Sequence, residues 1–151
     1  MTSSNENSFD TLNLPAAQRE TLARLGYAEM TAIQAKSLPL ILSGKDVIGQ
    51  AKTGSGKTAA FGLGVLKSID PSKLAVQSLI LCPTRELADQ VGKELRRLGQ
   101  AIPNIKLVIL CGGKPIGPQK TTLQTGAHIA VGTPGRILDH IERKNLSLSG
   151  L

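Results

Sequence analysis

At 151 residues the chain has the size of one ordinary domain or of a part of a larger protein. Hydrophobic residues reach 40% but aromatic ones only 2%, so a core must be built from Leu, Ile, Val and Ala, as in strands buried on both faces of a parallel sheet. The net charge of +7 suits a polyanionic partner such as nucleic acid, and suits equally a surface kept soluble by like charge; two cysteines and two histidines exclude a disulfide scaffold and a spaced zinc site.

Residues 1–8 are polar and are expected to form a mobile arm, with no signal-peptide core. Phe9, one of two phenylalanines, ends it. Pro15 to Leu25 reads as a helix, with Pro15 near its first position and Gly26 just past its end. Thr31 has the chemistry of an N-cap for a second helix through Ala32, Ile33 and Ala35. Pro39 is expected to interrupt it and to start a new turn that Gly44 stops. Val47-Ile48-Gly49 reads as a short strand, and Thr58 to Leu66 as a helix. Asp70-Pro71-Ser72 is a turn.

Ser78 to Cys82 is a continuous apolar run closed by Pro83, the pattern of a buried strand. Arg85 to Leu98 is helical, with Leu87, Val91, Leu95 and Leu98 on one face and Lys93, Arg96 and Arg97 on a solvated one. Ile105 to Leu110 is a third strand, ending at Gly112-Gly113. Pro115 to Thr125 is a weaker helix, because Gly117 and Pro118 disturb its start. Ile129 to Val131 is a fourth strand; Thr133-Pro134-Gly135-Arg136 then leads into a helix through Ile137, Leu138, Ile141 and Glu142. Cys82 and Cys111 each end an apolar run and read as buried free thiols in a reducing compartment. No apolar run approaches a membrane span, so a cytoplasmic protein without a membrane partner is expected.

The stretch with the most chemistry is Ala51-Lys52-Thr53-Gly54-Ser55-Gly56-Lys57-Thr58. A strand signal, a Gly-rich turn, Gly-Lys-Thr and a helix in that order is the context of a phosphate-binding loop. Gly54 and Gly56 lack a Cβ, so the loop can wrap tightly and turn its backbone N–H groups inward. The following helix adds free N–H groups and its positive dipole end. Lys57 supplies a point charge for β- and γ-phosphates and Thr58 a hydroxyl for Mg²⁺.

Strands alternating with helices predict an α/β fold, a parallel sheet with helices on both faces. Ligands of such sheets sit beyond the carboxyl ends of the strands. The phosphate loop, Pro83-Thr84-Arg85-Glu86, Gly112-Gly113 and Thr133-Pro134-Gly135-Arg136 each follow a strand signal. They should crowd one edge and form a composite site for a nucleotide and a second anionic ligand.

These residues, in this order, resemble the DEAD-box RNA helicase family from Phe9 onward. Residues 9–34, with Phe9, Gly26-Tyr27, Thr31 and Ile33-Gln34, are similar to the family's adenine-reading Q motif; residues 51–58 resemble motif I. Pro83-Thr84-Arg85-Glu86-Leu87-Ala88 resembles motif Ia, Gly112-Gly113 the Gly-Gly motif, and Thr133-Pro134-Gly135-Arg136 motif Ib. Met30-Thr31, Leu81-Cys82, Leu110-Cys111 and Leu138-Asp139-His140 bring the resemblance nearest to the bacterial DbpA type. It implies a RecA-like P-loop fold for residues 9–151, incomplete at the C-terminus, with ATP and Mg²⁺ as cofactors and RNA as partner. For the whole protein it implies an ATP-dependent RNA helicase acting on large-subunit ribosomal RNA in ribosome assembly.

The resemblance also gives roles. Gln34 can accept from adenine N6 and donate to N7, selecting ATP over GTP, with Tyr27 and Thr31 beside it. Phe9 stands where the family places an aromatic over the base; the alternative is a hydrophobic anchor for the arm. Pro83, Thr84, Gly112, Gly113, Thr133, Pro134 and Gly135 would grip RNA phosphate and sugar without reading bases. Arg85 and Arg136 would pair with phosphates or with neighbouring carboxylates.

Two departures matter. Met30 stands where most of the family has Pro, which leaves Thr31 able to cap. The sequence ends at Leu151, before the position of the family's Asp-Glu-Ala-Asp motif, and no other paired acid follows a strand. The expectation is that these residues alone do not hydrolyse ATP; turnover in an RNA-stimulated ATPase assay would contradict it. In RecA-like sheets two further strands separate the phosphate-loop strand from the motif Ia strand. The remainder of the helicase is therefore an expected partner, and without it exposed ladder groups should favour instability or oligomers. The alternative readings are a non-catalytic adenine-nucleotide and RNA-binding module, and a phosphate-loop kinase. The kinase has no use for Gln34 or the Thr-Pro-Gly-Arg turn.

Overall fold

A computed structural model describes residues 7–151. They form two compact units, one running to Ser68 and including Arg97–Ile102, the other comprising Ile69–Arg96 and Pro103–Leu151. Of the arm expected at 1–8, residues 1–6 lie outside the described residues, and the remaining two are held. The Met30 N–H donates to the Asn7 carbonyl at 2.7 Å, and Ser8 caps a 3-10 turn over Phe9–Thr11.

The first unit is helical: α1 (Ala16–Arg24), α2 (Ala32–Leu42) and α3 (Lys57–Ser68). Thr31 starts α2 as its N-cap, and the pairing with Gln34 is reciprocal. The Gln34 N–H donates to Thr31 Oγ1 at 3.4 Å, and the Thr31 N–H donates to Gln34 Oε1 at 2.9 Å. Pro39 does not interrupt the helix as expected; it lies inside α2. Its missing N–H falls in the last turn, and packing decides the outcome, since Leu38 is fully buried. Close approach to α3 occurs at Gly64, where a Cβ would stand 2.2 Å from Ile41 Cγ2. The strand expected at Val47–Gly49 does not form either. A strand exists only with a ladder partner, no described segment pairs with this one, and Ile48 is fully exposed.

The second unit is built on β1 (Ser78–Leu81), β2 (Leu107–Leu110) and β3 (Ile129–Gly132), with α4 (Arg85–Leu98, whose last two residues count with the first unit), α5 (Ile116–Thr125) and α6 (Pro134–Glu142). The strands are parallel in the order β1-β3-β2. Leu81 and Leu110 are both level with Gly132, so the three strands end together and their following turns leave one edge. Every residue of the central β3 is buried, whereas the edge strand β1 leaves Leu81 55% exposed. The core is aliphatic, as composition predicts: Val76, Val108, Leu110, Ala130, Ile137 and Leu146 pack together. On α4 the buried face is Ala88, Val91, Leu95 and Leu98; Leu87 turns outward.

Two buried histidines brace this unit. His128 Nδ1 accepts from the Lys106 N–H at 3.0 Å, which leaves Nε2 to donate to the Pro71 carbonyl at 3.2 Å. His140 is fully buried, with Nε2 on Gln119 Oε1 at 2.9 Å and Nδ1 against Asn145 Nδ2 at 3.3 Å. Burial, then the Arg136 guanidinium and more weakly Arg143, hold its imidazole below the ordinary value of 6.5, against the opposing pull of Asp139. The unfolded chain therefore takes up the His140 proton more readily than the folded one. Stability from this group is complete above the unfolded value and is lost as pH falls through the folded one. The urea midpoint is expected to drop on acidification from about pH 7 to about pH 5, and to drop less in His140→Gln. Parallel pH curves for the two proteins would remove His140 as the cause.

No helix among the described residues is long and apolar enough to cross a membrane. Cys82 and Cys111 are buried and free, and burial pushes both thiols up, so they are protonated at neutral pH.

Candidate nucleotide and nucleic-acid sites

The loop Ala51–Thr58 lies in the first unit. Gly54 and Gly56 take φ of 81° and 88°, the left-handed conformation that glycine adopts without strain. Lys57 opens α3 and folds back over the loop, its Nζ donating to the Ala51 carbonyl and, at 2.8 Å, to the Lys52 carbonyl. Its charge thus stands over the loop. The Ser55 hydroxyl is buried without a hydrogen-bond partner. A buried orphan hydroxyl, an ammonium and a glycine-turned backbone are a donor set that fits phosphate oxygens.

Two residues expected to serve the adenine also grip this loop. Thr31 Oγ1 donates to the Ser55 carbonyl at 2.8 Å, and Gln34 Nε2 donates to the Gly56 carbonyl at 3.1 Å. Gln34 is 1% exposed, and its Oε1 is engaged by the Thr31 N–H. One Nε2 hydrogen is left for another acceptor. The residue pair that starts α2 therefore also sets the position of the loop, a link no local pattern in the sequence announces.

Phe9 is a buried residue of the first unit. The ring is 5% exposed and meets Tyr27 edge to face, with centroids 6.0 Å apart at 86°. Phe9 and Tyr27 border a cleft of about 380 Å³ together with Arg19 and Leu22. On the basic face of α4, Lys93, Arg96 and Arg97 are exposed, as expected. The Arg97 guanidinium lies 5.7 Å from the Tyr27 ring centre, and Arg96 Nη2 donates to the Leu107 carbonyl at 3.4 Å.

In the second unit the turns after β1, β2 and β3 touch one another. The Arg85 guanidinium lies against Gly113, where a Cβ would stand 1.9 Å from Nη1 and where φ is 76°. The Gly112 N–H points at Thr133 Oγ1 across a long 3.5 Å. Thr84 Oγ1 caps α4 by accepting from the Leu87 N–H at 3.2 Å, which leaves its own proton to donate outward. Arg136 pairs with no carboxylate among the described residues. Its Nη1 donates to the Lys114 carbonyl at 2.9 Å and to Gln119 Oε1 at 3.1 Å. Pro83, Thr84, Arg85, Gly113, Pro134 and Gly135 are exposed; Gly112, Thr133 and Arg136 are half-buried. The first N–H groups of α6, beyond Thr133, have no intrahelical acceptor. The edge therefore offers hydroxyls, backbone donors and guanidinium charge, which suits a phosphodiester backbone.

The sequence profile of the DEAD/DEAH box helicase family matches residues 31–151. The chain is 60% identical over 144 residues to the ATP-dependent RNA helicase DbpA of Escherichia coli (strain K12), covering 95% of this chain and 32% of that protein. It is 47% identical over 143 residues to the DEAD-box ATP-dependent RNA helicase CshA of Bacillus cereus, covering 95% of this chain and 27% of that one. The chain thus spans between a quarter and a third of the length of these curated relatives. The crystal structure of a DEAD box protein from the hyperthermophile Methanococcus jannaschii matches with a TM-score of 0.90 and 40% identity, over 96% of this chain and 39% of that one. The higher identity to DbpA than to CshA agrees with the resemblance read at Met30, Cys82, Cys111 and His140. The profile match over most of the chain, with the RecA-like parallel sheet of its structural relatives, means that the chain belongs to the DEAD/DEAH box helicase family.

Proposed function

We propose that the chain is the ATP- and RNA-gripping N-terminal part of a DbpA-type ATP-dependent RNA helicase, residues 9–151 belonging to its first RecA-like domain. The observation that carries this reading is the hydrogen bonding of Thr31 and Gln34 to the carbonyls of Ser55 and Gly56. It joins a base-reading motif to a phosphate loop, an arrangement with a purpose only if one ligand has both parts.

In this reading the N–H groups around Gly54 and Gly56 and the Ser55 hydroxyl take the phosphate oxygens. Lys57 exchanges its loop carbonyls for the β- and γ-phosphates, and Thr58 offers its hydroxyl to Mg²⁺. When bound, the ion supplies charge neutralisation between the phosphates. Gln34 uses its remaining Nε2 hydrogen toward the adenine. Tyr27 and Phe9 give that side its apolar wall. The second unit holds RNA by its backbone through Thr84, Arg85, Gly112-Gly113, Thr133 and the start of α6. Backbone contact carries no sequence information. The target, large-subunit ribosomal RNA during ribosome assembly in the cytoplasm, follows from the DbpA-type resemblance.

Fluorescence titration with mant-ATP tests the nucleotide half. The native chain should bind it, and Lys57→Ala should bind about tenfold to a hundredfold more weakly, the loss of one charge-assisted contact of ~1.5–3 kcal/mol. Equal affinities would exclude the loop as the phosphate site.

A further inference from the structure

We infer that Gln119, on α5, is a positioning residue for the RNA-gripping edge, locking the Gly112-Gly113 turn to the Thr133–Arg136 turn through one buried amide. The inference rests on the reading of that edge as an RNA-backbone site. Gln119 is 8% exposed, and both ends of its amide are occupied. Nε2 donates to the Cys111 carbonyl at 3.0 Å, where the Gly-Gly turn begins. Oε1 accepts from Arg136 Nη1 at 3.1 Å and stands 2.9 Å from His140 Nε2. Arg136 Nη1 also reaches the Lys114 carbonyl at 2.9 Å, where the same turn ends. One turn is thus held at both ends by two side chains that are bonded to each other.

The orientation of the amide is determined by its partners. Arg136 can only donate and the Cys111 carbonyl can only accept, so rotating the amide by half a turn would break both bonds. Oε1 in turn requires a proton on His140 Nε2, and the Nδ1 lone pair then accepts from Asn145 Nδ2 at 3.3 Å. His140, fully buried, backs the amide and has no path to a ligand. Arg136 is therefore placed by the protein before any RNA arrives, and Gln119 is what places it. A pre-set guanidinium and pre-set turn N–H groups raise affinity by removing the cost of ordering them on binding.

The 151-residue chain is titrated separately with a short fluorescein-labelled oligouridylate and with mant-ATP. Gln119→Leu, similar in size but without polar atoms, is expected to weaken oligouridylate binding by about tenfold and to keep mant-ATP affinity within about twofold. Gln119→Glu retains acceptor oxygens for Arg136 and His140 but loses the donor to the Cys111 carbonyl, so its oligouridylate affinity is expected to fall between that of Gln119→Leu and that of the native chain. Native-like oligouridylate binding by Gln119→Leu overturns the inference, and so does native-like binding by Gln119→Glu, which would show that the bond to the Cys111 carbonyl locks nothing. If Gln119→Leu fails to fold, ring-nitrogen NMR of the native chain decides. The His140 Nε2–H signal should shift when oligouridylate is added, because Gln119 couples this buried ring to Arg136; an unmoved signal overturns the inference. A native chain that binds mant-ATP but no oligouridylate would instead overturn the RNA reading itself, and the inference with it.

Discussion

Gly56→Ala is expected to lose nucleotide affinity by about a hundredfold or more, ~2.7 kcal/mol, and to loosen the start of α2 as well. Gly56 sits at φ 88°, and its missing Cβ leaves the space that Gln34 fills. An added Cβ would stand 2.4 Å from Gln34 Nε2, 3.1 Å from its Cδ and 3.3 Å from Thr31 Oγ1. Gln34 is 1% exposed and bonded at both ends of its amide, so it cannot swing aside without breaking the cap of α2. Backbone strain of ~1–3 kcal/mol adds to a lost cap worth ~1 kcal/mol. Gly54→Ala is the control. It has φ 81° but no atom within 4 Å of the added Cβ, so it carries the strain without the collision. Mant-ATP titration of the two variants should separate them by about tenfold. Equal losses would show that backbone freedom alone, and not the Gln34 contact, requires glycine at position 56.

Gly132→Ala is expected to be the most destabilising small substitution in the second unit. Gly132 ends the central strand and pairs with Leu81 on one side and Leu110 on the other. A Cβ there would lie 2.3 Å from the Leu110 carbonyl oxygen and 2.8 Å from Ile137 Cδ1. The first of these is backbone and cannot rotate away. That same carbonyl accepts from the Thr133 N–H at 3.1 Å, so relieving the clash parts β2 from β3 where the two turns begin. Overpacking costs ~1–3 kcal/mol and the lost ladder bond ~1 kcal/mol, so the thermal midpoint should fall by roughly 10 °C or more. A midpoint within about 3 °C of the native one would mean that β2 yields at that point, which the close pairing argues against.

These two glycines show how differently sequence and fold speak. Gly56 belongs to a spaced pattern, Gly54-Ser55-Gly56-Lys57-Thr58, whose chemistry is short-range and can be read directly. Gly132 belongs to no such pattern; its neighbour on β2 lies 22 positions back along the chain. The helix Arg85–Leu98 matches its expected ends because its signal, a 3.6-residue apolar period, is carried by its own side chains. The Thr31 cap was legible for the same reason, since donor and acceptor are three residues apart. Val47–Gly49 was misread because an apolar run reports a preference for extension, while a strand also needs a neighbour to bond. Pro39 was misread because burial of Leu38 outweighs one missing hydrogen bond in the last turn of α2.

The parallel α/β class, the aliphatic core, the glycine-lysine-threonine loop and the order of the motifs that identify the family are all legible in the residues. Each of these is written in residues close together in the chain or in overall composition. Tertiary structure alone decided that β3 lies between β1 and β2, that Thr31 and Gln34 hold the phosphate loop, and that Gln119, with His140 behind it, ties Arg136 to the Gly-Gly turn. Those decisions depend on hydrogen bonds between groups some 8 to 24 residues apart and on strand pairing over 22 to 51 residues. The energy of such a bond depends on where folding brings its partners, and neither partner's local sequence records that.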